Sequence, residues 1–370
     1  MSLKLITPFF LLAATLNAAP IYIGTSTGKS STSKGIYLAD FDSTTGKLSE
    51  PTLAVEYQNP GFLALHPSKP LLYACGIPNN LFPDESGSVA AFNIGGDHGL
   101  KFLGEASSGG KGTCHLAIDA TGKTVAIANY GAGSLSTVKL DDSGLPTASA
   151  TVIKHSGDGP NKPRQDGPHA HGVYFDKANK HLFVPDLGLD RVFVYPFDAT
   201  TSELGTPLAA LTTMAGAGPR HMTFSADEKF AYVINELDNT VLVASYVDGT
   251  FKPLTTVKTL PDGYVEKSTT SEIEVHPNGK FVYGSNRGHD SLTVYQRDEK
   301  TGNLTLIQHA PCGGKTPRHF KIDPTGKWLL CAHQGSNTIS VLSLDPATGL
   351  LGEPSNTVSV PSPTCLLFSR

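Results

Sequence analysis

The sequence predicts an all-β fold, a seven-bladed β-propeller of four-stranded antiparallel blades whose N- and C-termini share the closing blade. Three observations carry this expectation. One pattern of apolar strand, polar turn, apolar strand, polar turn and third strand returns about every 50 residues. Helical 3.6-residue periodicity is scarce after the N-terminal segment. The two ends of the chain carry complementary parts of one further unit.

The repeat begins with PGFLALHPSKPLLYACG from Pro60, TCHLAIDATGKTVAIANYGAGS from Thr113 and PHAHGVYFDKANKHLFVPDLGLD from Pro168. It continues with PRHMTFSADEKFAYVINELDNT from Pro219, SEIEVHPNGKFVYGSNRGHDS from Ser271 and PRHFKIDPTGKWLLCAHQGSNT from Pro317. Third strands such as VAAFNI, RVFVYPFD and TISVLSLD follow, and several are trailed by a weaker fourth element such as LTTVKTL or LTLIQHA. The C-terminal PTCLLFSR repeats only a first strand, whereas IYIGTSTG and GIYLADFDSTTGKLSE near the N-terminus read as later strands. Joining them completes the seventh blade and removes the open sheet edges.

The residue before each first turn provides a common anchor: His66, Asp119, Asp176, Ser225, His276, Asp323 and Ser369. One and three places before it every residue is apolar, the period-2 signature of a strand packed between neighbours. The strand start differs. Five places back stand Gly61, Cys114, His171, Arg220, Ser271, Arg318 and Thr364; four places back stand Phe62, His115, Gly172, His221, Glu272, His319 and Cys365. Ionisable side chains therefore concentrate at one level of the innermost strands, at one mouth of the central channel. The antiparallel second strands end beside them, with Asn129, Asp186, Glu236, Asn286, Arg287, His333 and Gln334. A convergent polar pocket of this kind is the default binding site. The turns at the opposite end read as ordinary solvated turns.

Composition narrows the partners. The chain has 370 residues, a net charge of −4 and no block of Lys or Arg, so nucleic acid is not expected. The 38 Gly and 26 Pro are spread out, as many turns require. The start, MSLKLITPFFLLAATLNAAP, has one charge at Lys4, an apolar run from Leu5 to Leu16 and small residues at Ala18 and Ala19. This reads as a secretory signal peptide over 1–19, ahead of one propeller domain over 20–370. A secreted or periplasmic monomer without a membrane span is expected. The five cysteines, Cys75, Cys114, Cys312, Cys331 and Cys365, show no CxxC pair and read as buried free thiols. GTSTG from Gly24 is not a phosphate loop, because no helical pattern follows it.

At GPHAH, GPRH, INEL, SNRG and TPRH, in order and at blade spacing, the sequence resembles the seven-bladed lactonase family. That family contains the propeller-type 6-phosphogluconolactonases and the fungal 3-carboxymuconate-lactonizing cyclase. The resemblance implies lactone chemistry and assigns the catalytic positions to His171, Arg220, Glu236 and Arg287, with His169 as an alternative to His171. His115, His169, His221, Arg318, His319 and His333 complete the belt as expected substrate-binding residues. A lactonase needs a base for water and a donor for the developing oxyanion. Glu236 or His171 can supply the first, and Arg220 and Arg287 the second. The expected activity is hydrolysis of a sugar lactone or related acidic lactone. A lactonizing cyclase and a non-catalytic binding propeller are the alternatives. No cofactor is expected, and a metal is disfavoured because Arg is interspersed among the histidines. Export conflicts with a phosphorylated cytosolic metabolite and favours an unphosphorylated or otherwise acidic lactone.

The leader gives the first testable expectation. N-terminal sequencing of natively expressed protein should start near Ala19 or Pro20; soluble cytosolic protein that retains Met1 would refute export.

Overall fold

The computed structural model describes residues 18–76, 82 and 86–369, and most of the expected leader, 1–17, lies outside them. Seven antiparallel sheets surround a central channel. Blade one is built from Phe62–Leu65, Leu71–Gly76, Ser88–Ile94 and Leu100–Ser107, from the channel outward. Blades two, four, five and six repeat this order from the inner strands Thr113–Ile118, Pro219–Phe224, Thr269–Val275 and Pro317–Ile322. Their second strands are Thr124–Asn129, Phe230–Asn235, Phe281–Arg287 and Trp328–His333. Blade three departs from the pattern. Its regular inner strand is only Tyr174–Phe175, supplemented by an Ala170–Asp186 bridge, and its outer edge is split into Glu203–Leu204 and Leu211–Thr212.

The ring closes as the sequence predicts. The C-terminal Pro363–Phe368 is the inner strand of the closing blade and pairs with the N-terminal Ala18–Thr25, which in turn pairs with Gly35–Asp42.

Apolar burial lies between blades rather than within any one of them. Leu63, Leu116, Val173, Met222, Ile273, Phe320 and Leu366, all three places before the anchor, are buried around the ring. A typical cluster joins Leu330, Ile339 and Val341 of blade six to Ile23, Phe41 and Leu366 of the closing blade. The residues one place before the anchor are less uniform. Leu65, Ile118, Phe175, Phe224 and Val275 are only partly buried, because that end of the strand opens into the opposite mouth.

The turns at that mouth are more than solvated connections. Asp119 and Asp323 are fully buried, and each carboxylate accepts backbone N–H groups of its own turn. His66 and His276 accept similar bonds at Nδ1, and their Nε2 atoms reach Gly122 O and Gly326 O of the next blade. All five cysteines are unpaired; Cys114 is partly buried and the other four are buried.

Deleting residues from Pro363 onward removes Leu366 and Phe368 from the core, a loss of about 3–6 kcal/mol from burial alone. It also exposes one edge of Ala18–Thr25. Thermal denaturation should show a large fall in melting temperature or no cooperative transition. A truncated protein that melts like the full chain would contradict the closure.

Candidate active site

The site-forming residues are placed by a repeated irregularity in the inner strands. In blade two, Thr113 pairs with Asn129 and His115 with Ala128, leaving Cys114 as an extra residue. In blades four, six and the closing blade the same shift makes Arg220, Arg318 and Thr364 the extra residues. Strict alternation would turn these positions into the apolar layer between blades. A bulge bends the strand and re-aims the extra side chain. Arg220, Arg318, Cys114 and Thr364 accordingly line a chamber of about 200 Å³ at this mouth, together with Ser26, Asn59 and Gln334.

Glu236, just after the second strand of blade four, forms the electrostatic centre. It is 3% exposed. Its Oε1 accepts from Arg164 Nη2 at 2.5 Å, and its Oε2 accepts from Arg287 Nη2 at 2.9 Å. Arg220 Nε lies 3.2 Å from Oε2, and His171 Nε2 lies 3.9 Å from it. The structure thus brings His171, Arg220, Glu236 and Arg287 together. The guanidiniums of Arg287, Arg220 and Arg164 overcome the burial of the Glu236 carboxyl and hold its pKa down to about 2. Glu236 is therefore a permanent carboxylate and a poor general base.

Arg220 and Arg287 are anchored on backbone carbonyls. Arg220 Nη1 donates to Ser271 O at 2.6 Å, and Arg287 Nη2 to Thr270 O at 2.6 Å. The Nε atoms of both are buried, and neither makes a well-aligned hydrogen bond among the described residues. Burial and the Arg287 guanidinium lower the pKa of Arg318, which lines the chamber beside Arg220.

The histidines below this cluster are neutral. Burial, with neighbouring cationic groups, pushes His115, His171 and His221 well below the ordinary imidazole value, and burial brings His319 to about 3. Phe62 and His115 pack with tilted rings whose centres are 4.0 Å apart, and His221 and His319 lie 6.0 and 5.7 Å from Phe62. Gly172 interrupts this layer. A Cβ there would lie 2.7 Å from the Tyr174 ring, so the tyrosine from the next turn of the pleat occupies the gap.

Two other positions differ from the sequence reading. His169 sits on the rim, stacked on Tyr130 and bonded to Tyr130 O and Asp166. His333 does not face the chamber: it is fully buried inside blade six, with Nε2 2.9 Å from Ser340 Oγ. It pairs with Pro317, as Asn129 pairs with Thr113, in the structural layer. The chamber residue is the next one, Gln334. Applying the first-strand register to the second strands selects Tyr130, Leu187, Glu236, Arg287 and Gln334, which would have found Tyr130 and separated Gln334 from His333. Arg164 lies in the connection before blade three, outside the repeat, and no periodic signal marks it.

Fixed positive charge beside unprotonated imidazoles, in a small chamber at a propeller mouth, is suited to holding an anion and stabilising a developing oxyanion. Residues 20–368 match the family described as Lactonase, 7-bladed beta-propeller, and the chain belongs to that family. The 6-phosphogluconolactonase of Bacillus subtilis is 34% identical over 351 residues, 94% of this chain and 97% of that protein. A crystal structure of a Bacteroides fragilis protein described as a putative 6-phosphogluconolactonase is 31% identical, with a TM-score of 0.87 over 97% of this chain and 99% of its own. The periplasmic gluconolactonase of Pseudomonas aeruginosa is 28% identical, with a TM-score of 0.87 over 95% of this chain and 99% of its own.

The neutral histidines make stability pH-dependent. An unfolded imidazole takes up a proton near pH 6.5, whereas these four resist it in the fold. Their contribution is complete above about pH 6.5 and declines as pH falls, toward about pH 3 for His319. Each contributes a slope of up to about 1.4 kcal/mol per pH unit. Glu236 adds a further loss from about 4.5 down to about 2. Melting temperature should fall steadily from pH 7 to pH 5, with net proton uptake on unfolding. A flat profile over that range would contradict the neutral assignment.

Proposed function

We propose that this lactonase opens the ring of a sugar lactone carrying an anionic group, a phosphate or a carboxylate, in the arginine-lined chamber. The observation that carries this reading is charge. Arg164, Arg220, Arg287 and Arg318 gather at one mouth, where Glu236 and, deeper, Glu272 are the carboxylates acting on them. The surplus of guanidinium suits an anionic ligand, and Arg recognises carboxylate and phosphate in bidentate fashion. The names of the Bacillus and Bacteroides relatives support the same substrate chemistry.

In this reading Glu236 is a clamp rather than a base. It holds three guanidiniums in register, and its protonation is suppressed. His171, beside Glu236 but outside the residues that line the chamber, is the group proposed to take a proton from water. Burial and Arg220 keep it unprotonated and able to accept a proton, while the same lowering makes it a weaker base than an ordinary imidazole. Arg220 stabilises the oxyanion of the tetrahedral intermediate, and Arg318 binds the remote anion. Proton return to the ring oxygen completes hydrolysis.

A neutral, unphosphorylated gluconolactone is the second reading. The signal-like N-terminus and the periplasmic Pseudomonas gluconolactonase favour it. Export belongs with this second reading or with a carboxylate-bearing lactone; the leader over 1–19, the single domain over 20–370 and a monomeric state are proposed with either.

A lactone panel tests both. 6-Phosphogluconolactone or an aldaric lactone should exceed gluconolactone in kcat/KM by about tenfold or more, and Arg318→Ala should abolish most of that preference. Arg220→Ala should lower kcat about a hundredfold, the scale for one oxyanion donor. Preference for the neutral lactone would select the second reading. A wild type inactive on the whole panel would refute hydrolysis.

A further inference from the structure

We infer that Glu272, acting through His221, is a positioning residue for Arg220. This rests on the role proposed for Arg220, and extends it to a carboxylate on the next blade. Arg220 and His221 are adjacent on the inner strand of blade four, as Ser271 and Glu272 are on that of blade five. The two pairs hold one another. Arg220 Nη1 donates to Ser271 O at 2.6 Å and to His221 Nε2 at 3.3 Å. His221 Nδ1 lies 3.0 Å from Glu272 Oε2.

The proton positions follow from these contacts. An arginine N–H can only donate, so His221 Nε2 is the acceptor and its proton is on Nδ1, directed at Glu272. Only a neutral imidazole offers both functions, and His221 is held neutral by burial and by Arg220 and Arg318. Glu272 is fixed independently. His319 Nδ1 accepts from Leu366 N at 3.3 Å, which places the His319 proton on Nε2, 3.4 Å from Glu272 Oε2. Glu272 Oε1 accepts from Ile273 N at 3.0 Å. The carboxylate thus receives donors on both oxygens and selects the His221 tautomer that can accept from Arg220.

Removing the charge breaks this selection. In Glu272→Gln, either amide orientation sets an N–H2 against an existing donor, at His221 and His319 or at Ile273. The His221 proton is then free to move to Nε2, where it opposes Arg220 Nη1. The residue is absent from the arginine chamber and faces the lower half of the channel, so its effect on turnover is indirect.

The test combines kinetics with structure. Glu272→Gln should lower kcat at least about tenfold with KM changed less than about threefold, and should still fold cooperatively. In an Arg220→Ala background the same change should cost less than about twofold, since coupled residues are non-additive. His221→Gln, which can place an acceptor at the Nε2 position, should retain more activity than His221→Asn, which cannot. A crystal structure of Glu272→Gln should show the Arg220 guanidinium displaced. An unmoved Arg220 overturns the inference whether or not lactone is turned over, as does full additivity with Arg220→Ala in an active enzyme. A wild type without lactonase activity refutes the proposed reaction, while the displacement still decides the positioning role.

Discussion

The burial of one carboxylate among several guanidiniums is the constraint on which this mouth of the propeller depends. Taking an ion out of water costs several kcal/mol even after relaxation. Arg220 is 2% exposed and Glu236 3%. The carboxylate draws Arg164 from the connection before blade three, Arg220 from the inner strand of blade four and Arg287 from the second strand of blade five. One anion thereby compensates cations from successive parts of the ring. Neutralising Glu236 would leave three partly or wholly buried cations facing one another, which explains why its proton affinity is pushed so low.

Backbone geometry supplies the second requirement, delivery of side chains to the channel. An unbroken strand from Pro219 would send Arg220 to the same side as Met222 and Phe224. That side is the apolar contact with the neighbouring blade, where a guanidinium has no partner. The register shift between Pro219 and His221 releases Arg220 from the alternation. Because blades two, six and the closing blade carry the same shift, the device is part of the repeat. Each of these four blades contributes one re-aimed residue, Cys114, Arg220, Arg318 or Thr364, and its identity sets the local chemistry.

This also explains what the sequence reveals. The blades, their closure by PTCLLFSR and the polar belt are legible because each rests on periodicity sampled seven times around the ring. Arg220 and His171 share one repeat position, so their convergence can be read before any coordinates. Arg164 is illegible for the opposite reason: it reaches Glu236 from an insertion that occurs once. His333 misleads because polarity alone does not distinguish a mouth residue from one buried a single place earlier. There Asn129, Asn235 and Asn286 bond neighbouring loops or their own blade. Only the register separates His333 from Gln334, and it was legible in the first strands before it was applied to the second.

The histidine layer then separates two electrostatic environments. Above it lie Arg220 and Arg318; below it is a chamber of about 610 Å³ whose charged lining is Glu272, Glu274 and Lys321, with Lys321 paired to Glu274. An anion approaching the ring therefore meets attraction at one mouth and, beyond the other, two carboxylates against one lysine. Charged imidazoles between them would blur that contrast and repel the arginines. Neutral imidazoles carry hydrogen bonds across the boundary without carrying charge, as His221 does between Arg220 and Glu272. Burial that suppresses protonation is thus the condition that lets one layer stand between the two chambers, hold Arg220 and leave the attraction of anions to the guanidiniums.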